Sequence, residues 1–163
     1  MKSFNIEQTE NETQLAVSVH KNAEIARIRL ARAKAEAKPP EKAMRETINV
    51  SMDVKSRHVE ANPDALRIEV KFSLRGKSTG ENDTTRNAIS IECSFEVDYL
   101  LRPGFAPNAE QINAFKDGNA IFNCWPYCRA YVQETVMKLG YPPITLPFLR
   151  VHTKAPGRKL SEK

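Results

Sequence analysis

The sequence predicts an α+β fold: a four-stranded antiparallel β-sheet, threaded as a meander, with a long C-terminal helix packed on one face. Two observations carry most of that prediction. Three segments between residues 46 and 101 alternate apolar and polar side chains with a strict period of two, as strands with one buried and one wetted face do. Residues 121–139 then place apolar side chains at helical spacing and end on a stop signal. A chain of 163 residues can bury a core as one domain, and 40% hydrophobic with 28% charged residues is ordinary globular composition.

Residues 1–14 (MKSFNIEQTENETQ) are polar and read as a flexible N-terminus. The domain is expected to run over 15–151, with a basic, flexible tail at 152–163. A short helix is expected near 15–22. The stretch that follows is ambiguous, because its alanines favour helix while Ile25, Arg27 and Arg29 alternate with Ala26, Ile28 and Leu30. The alternation decides for a strand from Glu24 to Ala35. Lys38-Pro39-Pro40 ends it, since prolines cannot donate to a ladder.

Three clearer strands follow. Ile48, Val50, Met52 and Val54 mark one within Glu46–Lys55. Leu66, Ile68, Val70, Phe72 and Leu74 mark the next within Ala65–Arg75. Ile89, Ile91, Cys93, Phe95, Val97, Tyr99 and Leu101 mark the last within Asn87–Leu101. Ala61-Asn62-Pro63-Asp64 and the 76–86 stretch GKSTGENDTTR are turn and loop chemistry between them.

Helices are expected to cover the apolar face. Asn108 can cap a helix starting at Ala109, and Gly118-Asn119 should break it from the long one. In the long helix Ile121, Trp125, Cys128, Val132, Thr135 and Leu139 form an apolar stripe. Lys138 in the last turn, Gly140 past the end and Pro142-Pro143 beyond make the stop signal.

A search for catalytic chemistry returns little, and the chain reads as a non-enzyme without cofactor or metal. GKSTG at 76–80 lacks the spacing of a phosphate loop and follows a hairpin strand. His20, His58 and His152 are scattered, without an acid and nucleophile near in sequence. Cys93, Cys124 and Cys128 are an odd set, which argues against a disulfide framework; the last two read as small packed residues. No run approaches the ~20 apolar residues of a bilayer span. The N-terminus lacks the plan of a signal peptide, so the expected compartment is the cytoplasm.

The net charge of +5 is unevenly placed. Residues 21–45 carry eight Lys/Arg against three Glu, and 150–163 carry five against one, while the rest of the chain is mildly acidic. Arg27, Arg29, Arg32 and Lys34 could contact phosphate, but the segment has little aromatic interleaving for base stacking, so nucleic acid is not the expected partner. Glu92, Glu96 and Asp98 line the wetted face of one strand, which is either a solvated surface or an acidic docking patch for a partner.

Apolar residues also occupy loops that should be polar. Tyr99-Leu100-Leu101-Arg102-Pro103-Gly104-Phe105 crosses from sheet to helix, and Ile144, Leu146, Phe148 and Leu149 follow the long helix. They are either a tight core plus an oligomer interface or an open groove for flexible apolar segments.

On FNCWPYCRAYVQ (122–133), GYPPITLPFL (140–149), the strand order and the Pro-Gly crossover loop, residues 24–151 resemble the SecB family of protein-export chaperones. The likeness is especially to its SecB-like branch, whose members include toxin–antitoxin chaperones dedicated to one antitoxin. The resemblance implies an ATP-independent holdase of unfolded polypeptides, assembled as a homotetramer from two dimers. Its client-binding groove would be drawn from Leu100, Leu101, Phe105, Phe115, Phe122, Tyr127, Tyr131 and Phe148. Two departures stand out. Ala130 follows Arg129 where the pattern often has Glu, so an ion pair there is absent or replaced. The export chaperones are strongly acidic, which suits docking on the translocation ATPase SecA, and this chain is basic; SecA docking through Glu92, Glu96 and Asp98 is therefore doubtful.

Overall fold

A computed structural model describes residues 4–39, 48–79 and 85–154 of the chain. It opens with a short strand, β1 (Phe4–Thr9), leading directly into helix α1 (Glu10–His20). A capping box sets the boundary: the Glu12 amide donates to the Thr9 hydroxyl (3.2 Å), and the Thr9 amide donates to the Glu12 carboxylate (2.7 Å). Residues 4–14, expected to be flexible, therefore form a strand and the first turns of a helix. The strand is ordered from afar. It pairs in parallel with the last strand, β6 (Leu149–Lys154), a partnership that local polarity does not reveal.

Four long strands build the main sheet: β2 (Ala23–Ala37), β3 (Ile48–Asn62), β4 (Ala65–Thr79) and β5 (Thr85–Leu101), all antiparallel. Their spatial order is β2-β5-β4-β3, which corrects the expected meander. Strands β3, β4 and β5 follow as hairpins, while β2 crosses over to pair with β5, giving a Greek key. Period two fixes which face a strand buries, but not its neighbour.

The inner face is apolar. Leu66, Ile68, Val70, Phe72 and Leu74 of β4 are fully buried, as are Ile91, Val97 and Tyr99 of β5. Their cover is a helical layer of α2 (Ala109–Phe115), a π-helical turn at Lys116–Ala120, and α3 (Ile121–Lys138). Asn108 caps α2 as expected, accepting from the Gln111 amide at 2.9 Å. The expected break at Gly118-Asn119 does not occur, because the π-turn carries the helix through. Glycine is needed there for closeness: a Cβ on Gly118 would lie 2.7 Å from Gln8 Nε2.

Helix α3 buries Ile121, Cys124, Trp125, Cys128, Val132 and Val136. Gly140, at φ +81°, ends it, its amide bonding the Met137 carbonyl at 3.0 Å. Residues 141–148 then fold back over the core as a strap with two anchors. Tyr141 Oη donates to the Lys38 carbonyl (2.5 Å), and Trp125 Nε1 donates to the Pro147 carbonyl (3.1 Å).

Candidate functional site

The eight apolar residues named from the sequence do not form one surface. Phe115 is buried edge-on against Tyr99, with ring centroids 5.0 Å apart. Leu101 is also core, because its place in β5 shares the inner parity of Val97 and Tyr99. Neither can meet a client in this conformation, which corrects their assignment to the groove. Leu100 is 56% exposed, but one residue along the strand it faces outward. There it lines an open cleft with Ala26, Ala65 and Arg67, on the sheet face opposite α3. Phe105 is half-buried and packs on the core from the crossover loop.

The other four residues flank α3 on two sides. Tyr127 is half exposed and tilts over Phe95 of β5 at 6.2 Å, with the half-buried Tyr131 one turn further on. Leu30 of β2 pairs with Phe95 in the sheet register and is 43% exposed, so it extends this flank to the sheet edge. The sequence reading missed Leu30, although its alternation with Arg29 marked it as inward-facing on a strand. The second flank holds Phe122, 54% exposed, and Phe148, 74% exposed. Arg129, two turns along α3 from Phe122, places its guanidinium 4.8 Å from the centre of the Phe148 ring. This cation–π contact occupies the arginine that has no glutamate beside it in sequence.

The acidic row is present, but it is not an acidic patch. Bulges in β2 after Ile25 and Leu30 keep Arg27, Arg29, Arg32 and Lys34 on the outer face beside β5. Arg27 and Arg67 both donate to Asp98, the latter at 2.6 Å, and Arg29 pairs with Glu96. Lys71 pairs with Glu92 at 2.9 Å. Hydrogen bonding from Arg67, helped by Arg27, holds the Asp98 carboxyl below its usual range against the opposing effect of burial. The bond and charge of Lys71 lower Glu92. Each acid named as a docking residue is thus neutralised within the sheet. Of the cations named as phosphate contacts, Arg27 and Arg29 are among these neutralising partners, while Arg32 bonds Glu69 (2.6 Å) and Lys34 bonds Glu36 (3.1 Å).

No three metal-ligating side chains cluster among the described residues. Cys93, Cys124 and Cys128 are all buried between β5 and α3 as free thiols. Burial pushes Cys124 up to about 12, and the hydrogen bond shared by Cys93 and Cys128, with burial, raises Cys128. No helix among the described residues is long and apolar enough to cross a membrane.

Neither a known family model nor a curated protein matches the sequence. Solved structures do. A Mycobacterium tuberculosis SecB-like chaperone, Rv1957, in complex with a ChAD peptide from the HigA1 antitoxin, aligns with a TM-score of 0.69. The alignment covers 85% of this chain and 99% of that one, at 22% sequence identity. The fold is SecB-like. A second structure, a protein of unknown function from Streptococcus agalactiae, aligns at TM-score 0.45 and 10% identity, over 77% of this chain and 97% of that one. The SecB-like fold accounts for the four-stranded antiparallel sheet and the long helix lying on its inner face.

Proposed function

We propose that this protein is a SecB-like chaperone that holds an extended, apolar polypeptide segment along the flanks of α3, and that it serves a dedicated partner of the antitoxin kind. The observation that carries the reading is the exposure of Phe122, Tyr127 and Phe148 around a helix whose remaining large apolar stripe is buried. Exposed aromatic clusters beside a packed core mark interaction surfaces. The likeness to a SecB-like chaperone bound to an antitoxin peptide supports the choice of partner.

Burying each aromatic contributes about 1.5–3 kcal/mol, before the cost of ordering the peptide. A few such contacts can hold an unfolded client and release it without ATP. In the same reading the chain works in the cytoplasm as a homotetramer, its half-exposed Ile25 meeting another copy along the β2 edge. SecA has no part in this reading, since the outer acids are matched by arginine and lysine.

Light scattering of a chemically denatured client tests the holdase activity. The protein is expected to suppress aggregation at stoichiometric amounts, and Phe122→Ser with Phe148→Ser is expected to lose most of that suppression at unchanged melting temperature. Unaltered scattering with the unsubstituted protein would sink the reading. Pull-down from the native host separates one dominant client from a broad spread.

A further inference from the structure

The outer face of the sheet differs between its two ends. Near the β3–β4 turn, acids and arginines interlock: Asp98 lies between Arg27 and Arg67, and Glu69 between Arg32 and Arg57. Toward Gly76 the pairing thins to Lys71 with Glu92, whose carboxyl also feels the charge of Arg75. Lys55, Arg75 and Lys77 are exposed there and make no ion pair among the described residues. Lys55 also stands directly opposite Lys71 in the β3–β4 register. Like charges in cross-strand register repel, and only Lys71 of the two has a carboxylate partner among the described residues, Glu92 at 2.9 Å. Asp53, the acid nearest on β3, lies two register pairs away, opposite Ser73.

We propose that this end of the outer face docks an acidic segment of a partner protein, with carboxylates seated against Lys55, Arg75 and Lys77. Charge complementarity selects the occupant. Single-stranded nucleic acid fits less well, because the outward positions here are Ser51, Asp53, Lys55, Lys71, Ser73 and Arg75, with no ring on which a base could stack. The surface lies on the opposite side of the sheet from α3, so it can succeed or fail independently of the chaperone reading.

The probe is a labelled peptide of alternating Asp and Ser, about ten residues long, enough to span ~33 Å when extended. Anisotropy titrations are made at about 50 mM and about 300 mM salt, a range over which exposed charges become screened. Saturable binding is expected at low salt, weakened about tenfold or more at high salt. Lys55→Gln with Arg75→Gln and Lys77→Gln is expected to weaken it by a similar factor, and Phe122→Ser to leave it unchanged. Lys55→Gln alone and Lys77→Gln alone, each about threefold weaker, replace the triple variant if its circular dichroism shows misfolding. The proposal is overturned by absence of saturation, by equal binding of a Gly/Ser peptide, by wild-type affinity in the folded variants, or by tighter binding of oligothymidine.

Discussion

Phe4 of β1 lies stacked on Trp125 of α3, with ring centroids 5.0 Å apart and planes 12° from parallel. Trp125 also leans on Phe72 of the sheet at 5.9 Å and donates its indole N–H to the strap at Pro147. One side chain therefore joins the N-terminal strand, the sheet, the helix and the strap. Phe4→Ala should cost about 1–2 kcal/mol, combining the ring pair with loss of a half-buried phenylalanine. Urea denaturation followed by the fluorescence of Trp125, the single tryptophan, measures it. An unchanged midpoint would mean that β1 contributes nothing to the fold.

Gln8 and Gly118 form a second long-range lock. Gln8 is buried and donates its amide to the Ala114 carbonyl at 2.7 Å, and Gly118 makes room for it. Gly118→Ala gains up to about 1 kcal/mol of helix propensity but drives a methyl into that amide. Displacing a buried hydrogen bond costs about 1–3 kcal/mol, so the net effect is destabilising. In a Gln8→Ala background the methyl meets no amide, and the same substitution should become neutral or stabilising. A double-mutant cycle read by thermal melting checks the change of sign.

The buried thiols give a prediction about reactivity. Desolvation holds Cys124 at about 12, and the bond to Cys93 together with burial raises Cys128, so thiolate is scarce at neutral pH. An Ellman assay on the native protein should detect almost no free thiol over minutes, and all three after denaturation. Rapid labelling of the native state would show that the space between β5 and α3 opens to solvent.

What was legible from sequence follows the range of the forces involved. Period two in Leu66–Leu74 and Ile89–Leu101, the Asn108 cap and the Gly140 stop are local signals, and each appears where its pattern placed it. The place of β2 beside β5, and of β1 beside β6, depends on partners far away in the chain, and no local pattern contains that. The candidate surface divides in the same way. Tyr127 and Tyr131 were readable as a flank of the α3 stripe. Leu100 and Leu101 could be told apart only by the parity of β5 carried to its end, where one turns outward and the other into the core.

Glu69 makes the pH dependence specific. Its side chain is nearly inaccessible on the face of the sheet that is otherwise wet, beneath Arg32 and Arg57 from the two edge strands. Burial raises its carboxyl, but hydrogen bonds from Arg32, Arg57 and Ser94, with the charge of Arg57, outweigh that and leave it below the ordinary 4.5. A carboxyl with a lowered folded pKa stabilises the fold fully above its unfolded pKa and loses that contribution as pH falls through the folded one. Stability should therefore decline as pH drops below about 4.5. Glu69→Gln should cost on the order of 1 kcal/mol at neutral pH, since both arginines are exposed enough to rehydrate. The variant should also show a shallower acid-side loss, because one linked proton is gone. Urea midpoints measured from neutral pH down to the acid transition test both outcomes, and an acid slope as steep as that of the unsubstituted protein would remove Glu69 from the linkage.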